Sequence, residues 1–268
     1  MDIYLNQYIN SNTIIINNIS TYPNEWLVFL DKIKSFLKKY RYNETRNFNR
    51  YEKLKLETGR AYPNLKINKY ENIHTKYLNQ FYSLVCQTQF NLIGFHATRL
   101  TEEEIVNIKN CGLYLHNLTS LKKKIDDLFI FNYINKEDRD YLLNENLLNF
   151  EPDRCNKIYY TVGYVDISYK QYNKSFLFSF LDNYGGEIIY NATENSTLGE
   201  KLKQYSTPHV VLFQIESKDI DLFSIAKCIF DNYNTPLINK ISFSNHLTHD
   251  VKKIIDVVEV NKKSKIKI

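Results

Sequence analysis

Methionine and tryptophan occur once each in the 268 residues, and cysteine four times. The core must therefore lean on Ile, Leu and the rings of 22 Tyr and 16 Phe. Cys86, Cys111, Cys155 and Cys228 stand singly. Without a Cys-x-x-Cys pair no zinc or dithiol motif is indicated, and no metal site is expected. Four scattered cysteines in a chain of this size fit a reducing cytoplasm better than a disulfide scaffold. No apolar run approaches the ~20 residues needed to span a bilayer. The opening MDIYLNQYINSNTIIINN carries Asp2 and no basic residue, so it makes a poor signal peptide. A cytoplasmic location without membrane contact is the expectation. Gly-x-Gly-x-x-Gly after a strand, Walker A, His-Glu-x-x-His and Gly-x-Ser-x-Gly are all missing, which removes the commonest nucleotide, zinc-protease and serine-hydrolase readings. His246 and His249 lack Cys or acidic partners in pattern and read as surface residues.

Hydrophobic residues make up 43% of the chain, enough for a core. The length suits one large domain, or a smaller one with an N-terminal extension. Charge is uneven. Residues 31–69 hold twelve Lys/Arg against four Asp/Glu, and 262–267 add four lysines. The stretch between, 70–260, has nineteen basic and twenty-four acidic residues. Basic character is thus confined to an arm and a tail, which speaks about partners rather than fold. In the arm, arginines such as Arg41, Arg46 and Arg50 lie among Tyr42, Phe48 and Tyr51. That mixture suits phosphates and bases, and it is also what a solvated, partly irregular surface segment would show.

Apolar spacing predicts helices over 26–40, 73–87, 118–131, 136–148, 175–181, 198–205 and 220–230. Strands are expected within 1–20 and over 92–95, 158–162, 187–190, 210–215 and 254–260, with Pro208 breaking the helix over 198–205 before the strand at 210. Short strands with helices between and after them argue for an α+β fold. The expected organisation is a helical, basic extension over 1–90, a domain over 91–260 and a basic tail over 261–268.

Local signals agree best in 91–117, NLIGFHATRLTEEEIVNIKNCGLYLHN. A buried strand delivers His96, Thr98 and Arg99 to its end, where connections carry chemistry on a rigid frame. Thr101 then reads as an N-cap with Glu104 as its capping-box partner, and Gly112 as the residue after the helix. Further on come Ile158-Tyr159-Tyr160-Thr161 and Gly185-Gly186-Glu187-Ile188-Ile189-Tyr190.

This constellation resembles the ADP-ribosyltransferase fold, in its His-Tyr-Glu branch, and within it an uncharacterised bacterial family with His-Ala-Thr-Arg-Leu, Gly-Leu and Gly-Gly-Glu-x-Ile-Tyr motifs. The likeness covers about 91–216. It implies a split β-sheet core with flanking helices, and an enzyme that consumes NAD. The product is ADP-ribose passed to a macromolecule or to water, in a toxin or defence setting. By position, His96 would bond a ribose hydroxyl of NAD and Thr98 would support it. Arg99 would meet the pyrophosphate, and Tyr159 would join the NAD-binding set. A tyrosine among Tyr164, Tyr169 and Tyr172, with Tyr169 preferred, would stack on the nicotinamide. Glu187 would be catalytic, its charge facing the cation that develops as nicotinamide leaves. Ala97 stands where those families carry glycine. The rivals are a non-catalytic reader of NAD or ADP-ribose, and a nucleic-acid-binding protein acting through its arm.

Overall fold

The structure, a computed structural model, describes residues 3–59, 68–150, 152–163, 181, 184, 189, 196–235, 242–260 and 266–267. The chain begins with two short strands, β1 (Ile3–Tyr4) and β2 (Thr13–Ile14). Helix α1 (Asn24–Thr58) follows Pro23 and has Glu25 in its first turn. Trp26, Leu30, Ile33 and Leu37 recur at helical spacing and are all buried. The helix does not give way near Tyr40 to irregular chain, as the sequence suggested. Residues 41–58 contain no Gly or Pro and many good helix formers, so it runs on to Gly59, whose φ of 64° ends it.

Helix α2 (Glu71–Gln87) leads into the ten-residue strand β3 (Asn91–Leu100). Then come α3 (Glu102–Cys111), α4 (Leu118–Ile130), α5 (Lys136–Asn144), the single turn α6 (Leu147–Phe150) and β4 (Ile158–Gly163). After the next described segment opens, α7 (Thr197–Gln204), β5 (Thr207–Glu216), α8 (Leu222–Asn232), β6 (Ser242–Leu247), β7 (Ile254–Glu259) and β8 (Ile266–Lys267) complete the order. The class is α+β, as expected.

The main sheet runs β6-β4-β3-β5-β7, every neighbour antiparallel. β2 adds a parallel pair at Asn91 and Leu92, on the start of β3. β3 pairs with β5 along its whole length, from Asn91 with Glu216 to Leu100 with Thr207. Pro208 lies inside β5, opposite Arg99, beyond the end of the helix at Gln204. A separate two-stranded pair joins β1 to β8. β6 has no counterpart in the sequence reading, because SFSNHL offers little apolar alternation.

One face of the sheet carries Leu92, Leu100, Tyr160, Val211 and Phe213, and packs against Trp26, Phe81 and Phe230 from α1, α2 and α8. Residues on both sides of the expected 90/91 boundary therefore share one core. The other face carries Ile93, Phe95, Ala97, Val210 and Leu212. His74 and Asp231, 2.8 Å apart, tie α2 to α8, and Tyr40 of α1 stacks on the His74 ring at 3.9 Å. Arg41 donates to the Asp231 and Tyr233 carbonyls at 3.0 and 2.8 Å, so this member of the basic arm is a tie within the fold. The four cysteines are free thiols. Among the described residues no helix is long and apolar enough to cross a membrane.

Candidate functional site

The length of β3 decides which of its polar residues meet. The strand continues through His96–Arg99 rather than ending before them, and side chains alternate between faces. His96, Thr98 and Leu100 share one face and line a cleft. Arg99 points to the other. Its guanidinium donates to the Ser206 hydroxyl (3.2 Å) and to the carbonyls of Leu181 (3.1 Å), Lys203 (3.0 Å) and Ser206. It clamps the end of α7 to the sheet and is not presented to a pyrophosphate beside His96.

Tyr159 also departs from expectation. Parity on β4 buries Ile158, Tyr160 and Val162 and leaves Tyr159 exposed, its ring 5.7 Å from that of His246. Its backbone carbonyl is what reaches the site, lying 2.9 Å from His96 Nδ1. A carbonyl only accepts, so Nδ1 carries the hydrogen. Burial holds the His96 pKa below its ordinary value, which keeps the ring neutral. Neutral imidazole with Nδ1 protonated leaves Nε2 as an acceptor.

A second imidazole adjoins it. His116 lies on the connection after α3, bridged to Lys157 at the entrance to β4. Its ring centroid is 6.2 Å from that of His96. Burial first, then the His96 ring and Lys124, push its pKa down to about 3. Because the folded value lies below the unfolded one, the unfolded chain takes up this proton first. The stability this group contributes is complete above about pH 6.5 and is lost as pH falls toward 3. Urea unfolding between pH 4 and 7 should therefore show a steeper pH slope for the wild type than for His116→Gln. The difference should approach one proton, and equal slopes would contradict the assignment.

The cleft occupies about 1330 Å³ between the end of β3, α3 and α4. The α3 end is formed as the sequence predicts: Thr101 and Glu104 make a reciprocal capping box. Asn117 and Ser120 do the same for α4. The Glu104 carboxylate also meets Lys124 Nζ at 2.6 Å, and that ammonium lies 4.6 Å above the Tyr184 ring. Tyr184 is buried and its hydroxyl lacks a hydrogen-bond partner of good geometry. Burial, then the nearby Glu104 charge, raise its pKa well above the ordinary phenol value. The lining is predominantly acidic: Glu102, Glu103, Glu104, Asp127 and Asp250 against Lys123 and Lys124.

Glu187, Tyr164, Tyr169 and Tyr172 lie outside the described residues. Two described neighbours of Glu187, Tyr184 and Ile189, both line the cleft. Ile189 has helical backbone, and the rest of the strand expected over 187–190 lies outside the described residues. His116 and Lys124 were not singled out by sequence, although both lie in or just beyond the 91–117 stretch. Among the described residues no group of His, Cys, Asp or Glu is arranged to hold a metal ion. No family model matches the chain, and comparison with curated proteins and with solved structures likewise finds no match.

Proposed function

We propose that this chain is an NAD-consuming enzyme with an ADP-ribosyltransferase-like fold, acting as an ADP-ribosyltransferase or an NAD glycohydrolase at the cleft beside His96. The observation that carries the reading is the state of His96. It is a neutral imidazole, fixed by the Tyr159 carbonyl, with Nε2 left to accept a hydrogen bond at a cleft it shares with Thr98. That is the role the resemblance gives this position toward a ribose hydroxyl. The placement of Tyr184 and Ile189 on the same cleft supports Glu187 as a resident of it.

The chemistry on this reading is rupture of the bond between nicotinamide and ribose. Nicotinamide in NAD is cationic, and the acidic lining suits that end of the molecule. Lys123 and Lys124, the second already paired with Glu104, are the described cations of the lining that the diphosphate would meet. Glu187 would face the positive charge that grows on the ribose, and Tyr169 would stack on the leaving ring.

His96→Ala removes one hydrogen bond worth about 1 kcal/mol to binding, so NAD affinity should fall about fivefold to tenfold. Calorimetric titration of NAD into both proteins tests this. Unchanged affinity in the variant would take His96 out of the site.

A further inference from the structure

The outer face of α1 carries cations in a regular row that the cleft does not use. Lys32, Lys39, Arg46 and Lys53 stand seven residues apart, and Arg50 falls between the last two. Seven residues are two turns less about 20°, so the four lie along one face with a slight drift. At 1.5 Å per residue the row is about 32 Å long, with about 10 Å between successive charges. All five side chains are exposed. Lys53 faces Glu57 at 3.7 Å, and among the described residues no carboxylate pairs with the other four. The helix as a whole has nine cations against five acids. Of these acids, Asp31 is held by Lys34 and Tyr233, and Glu44 by Asn68.

We propose that this row is a docking surface for the phosphate backbone of duplex DNA. A straight, rigid line of charge fits a rigid polyanion whose phosphates repeat along its whole length. Its length is close to that of one turn of duplex, about 34 Å. Single-stranded nucleic acid is bound through successive stacking rings, and the row offers one, Tyr42. A membrane surface needs an apolar helix face to sink into the acyl boundary. That face of α1, with Trp26, Leu30, Ile33 and Leu37, is already in the core. A second copy of the chain would bring like charges together. Binding of this kind positions without reading sequence.

The test uses the full chain and a fluorescent 20-base-pair duplex of arbitrary sequence, followed by anisotropy at 25 to 200 mM salt. Arg46→Glu with Lys53→Glu reverses two charges in the row. Lys34→Glu with Lys55→Glu reverses two on other faces of the same helix and so matches the change in net charge. The proposal expects wild-type binding at low salt and a log–log salt slope of about −4, from four to five neutralised phosphates. The row variant should lose at least tenfold in affinity, and the off-row variant should stay within about threefold of wild type. Circular dichroism confirms that both variants keep their helix content. Absence of binding at 25 mM salt would overturn the proposal, as would equal losses in the two variants. Tighter binding to a single strand of the same length, to phosphatidylserine vesicles or to polyglutamate than to the duplex would overturn it too.

Discussion

Glu187→Gln is expected to slow nicotinamide release from NAD about a hundredfold or more while leaving NAD affinity within about twofold of wild type. The amide keeps the size of the side chain and one acceptor oxygen, and loses the charge. On the proposed reading that charge meets a cation that exists only as the glycosidic bond breaks. An interaction stronger in the transition state than in the ground state lowers kcat and spares binding. Removing one preorganised electrostatic group of this kind costs ~3 kcal/mol, about a hundredfold in rate. The measurement pairs single-turnover nicotinamide release with calorimetric binding. Turnover in the variant equal to wild type would remove the catalytic role from Glu187. A joint loss of binding and turnover would make it a binding residue.

The second large effect is structural and lies at the wall of the cleft. Gly112 ends α3 with φ of 94° and ψ of −171°, a region that L side chains rarely adopt. A Cβ there would lie 2.0 Å from the Val251 carbonyl oxygen. That oxygen accepts from Leu113 N–H at 2.9 Å, and Val251 N–H returns a bond to Leu113 at 2.8 Å. Backbone on both sides is held, so Gly112→Ala has to break this bridge or strain it. A loss of about 3 to 5 kcal/mol is expected, roughly a 10 °C fall in Tm for a chain of this size. Thermal and urea unfolding check it. A change below 1 kcal/mol would mean that the connection yields more easily than its geometry implies. Because the same connection carries His116 to the site, NAD binding should weaken in this variant even below its Tm.

Features with local causes were legible in the sequence. The capping box of Thr101 and Glu104 needs only four residues, and the buried stripe of Trp26, Leu30, Ile33 and Leu37 only a helical period. Features set by distant partners were not. The residues His96, Thr98 and Arg99 read as polar chain beyond a short strand. It is pairing with β5, more than a hundred residues later, that keeps them in β3. Once they are in a strand, parity separates Arg99 from His96 and Thr98 and sends its guanidinium to the carbonyls around α7. The same parity turns the Tyr159 ring away and leaves its carbonyl. No local pattern marks His116, Lys124 or Tyr184 as neighbours, because three separate segments bring them together. In α1, no residue of described burial past Tyr40 is buried, and the helix there rests on propensity and on the absence of breakers until Gly59.

The central claim is that the cleft beside His96 takes NAD and breaks its nicotinamide bond. The direct measurement is incubation of the wild-type protein with NAD, followed by mass analysis of the small molecules and of the protein. The account predicts free nicotinamide in amounts equal to the ADP-ribose found, either free in solution or added to a macromolecule. NAD bound with no nicotinamide released would contradict catalysis and leave a non-catalytic reader of NAD. Neither binding nor release would contradict the account of the cleft altogether.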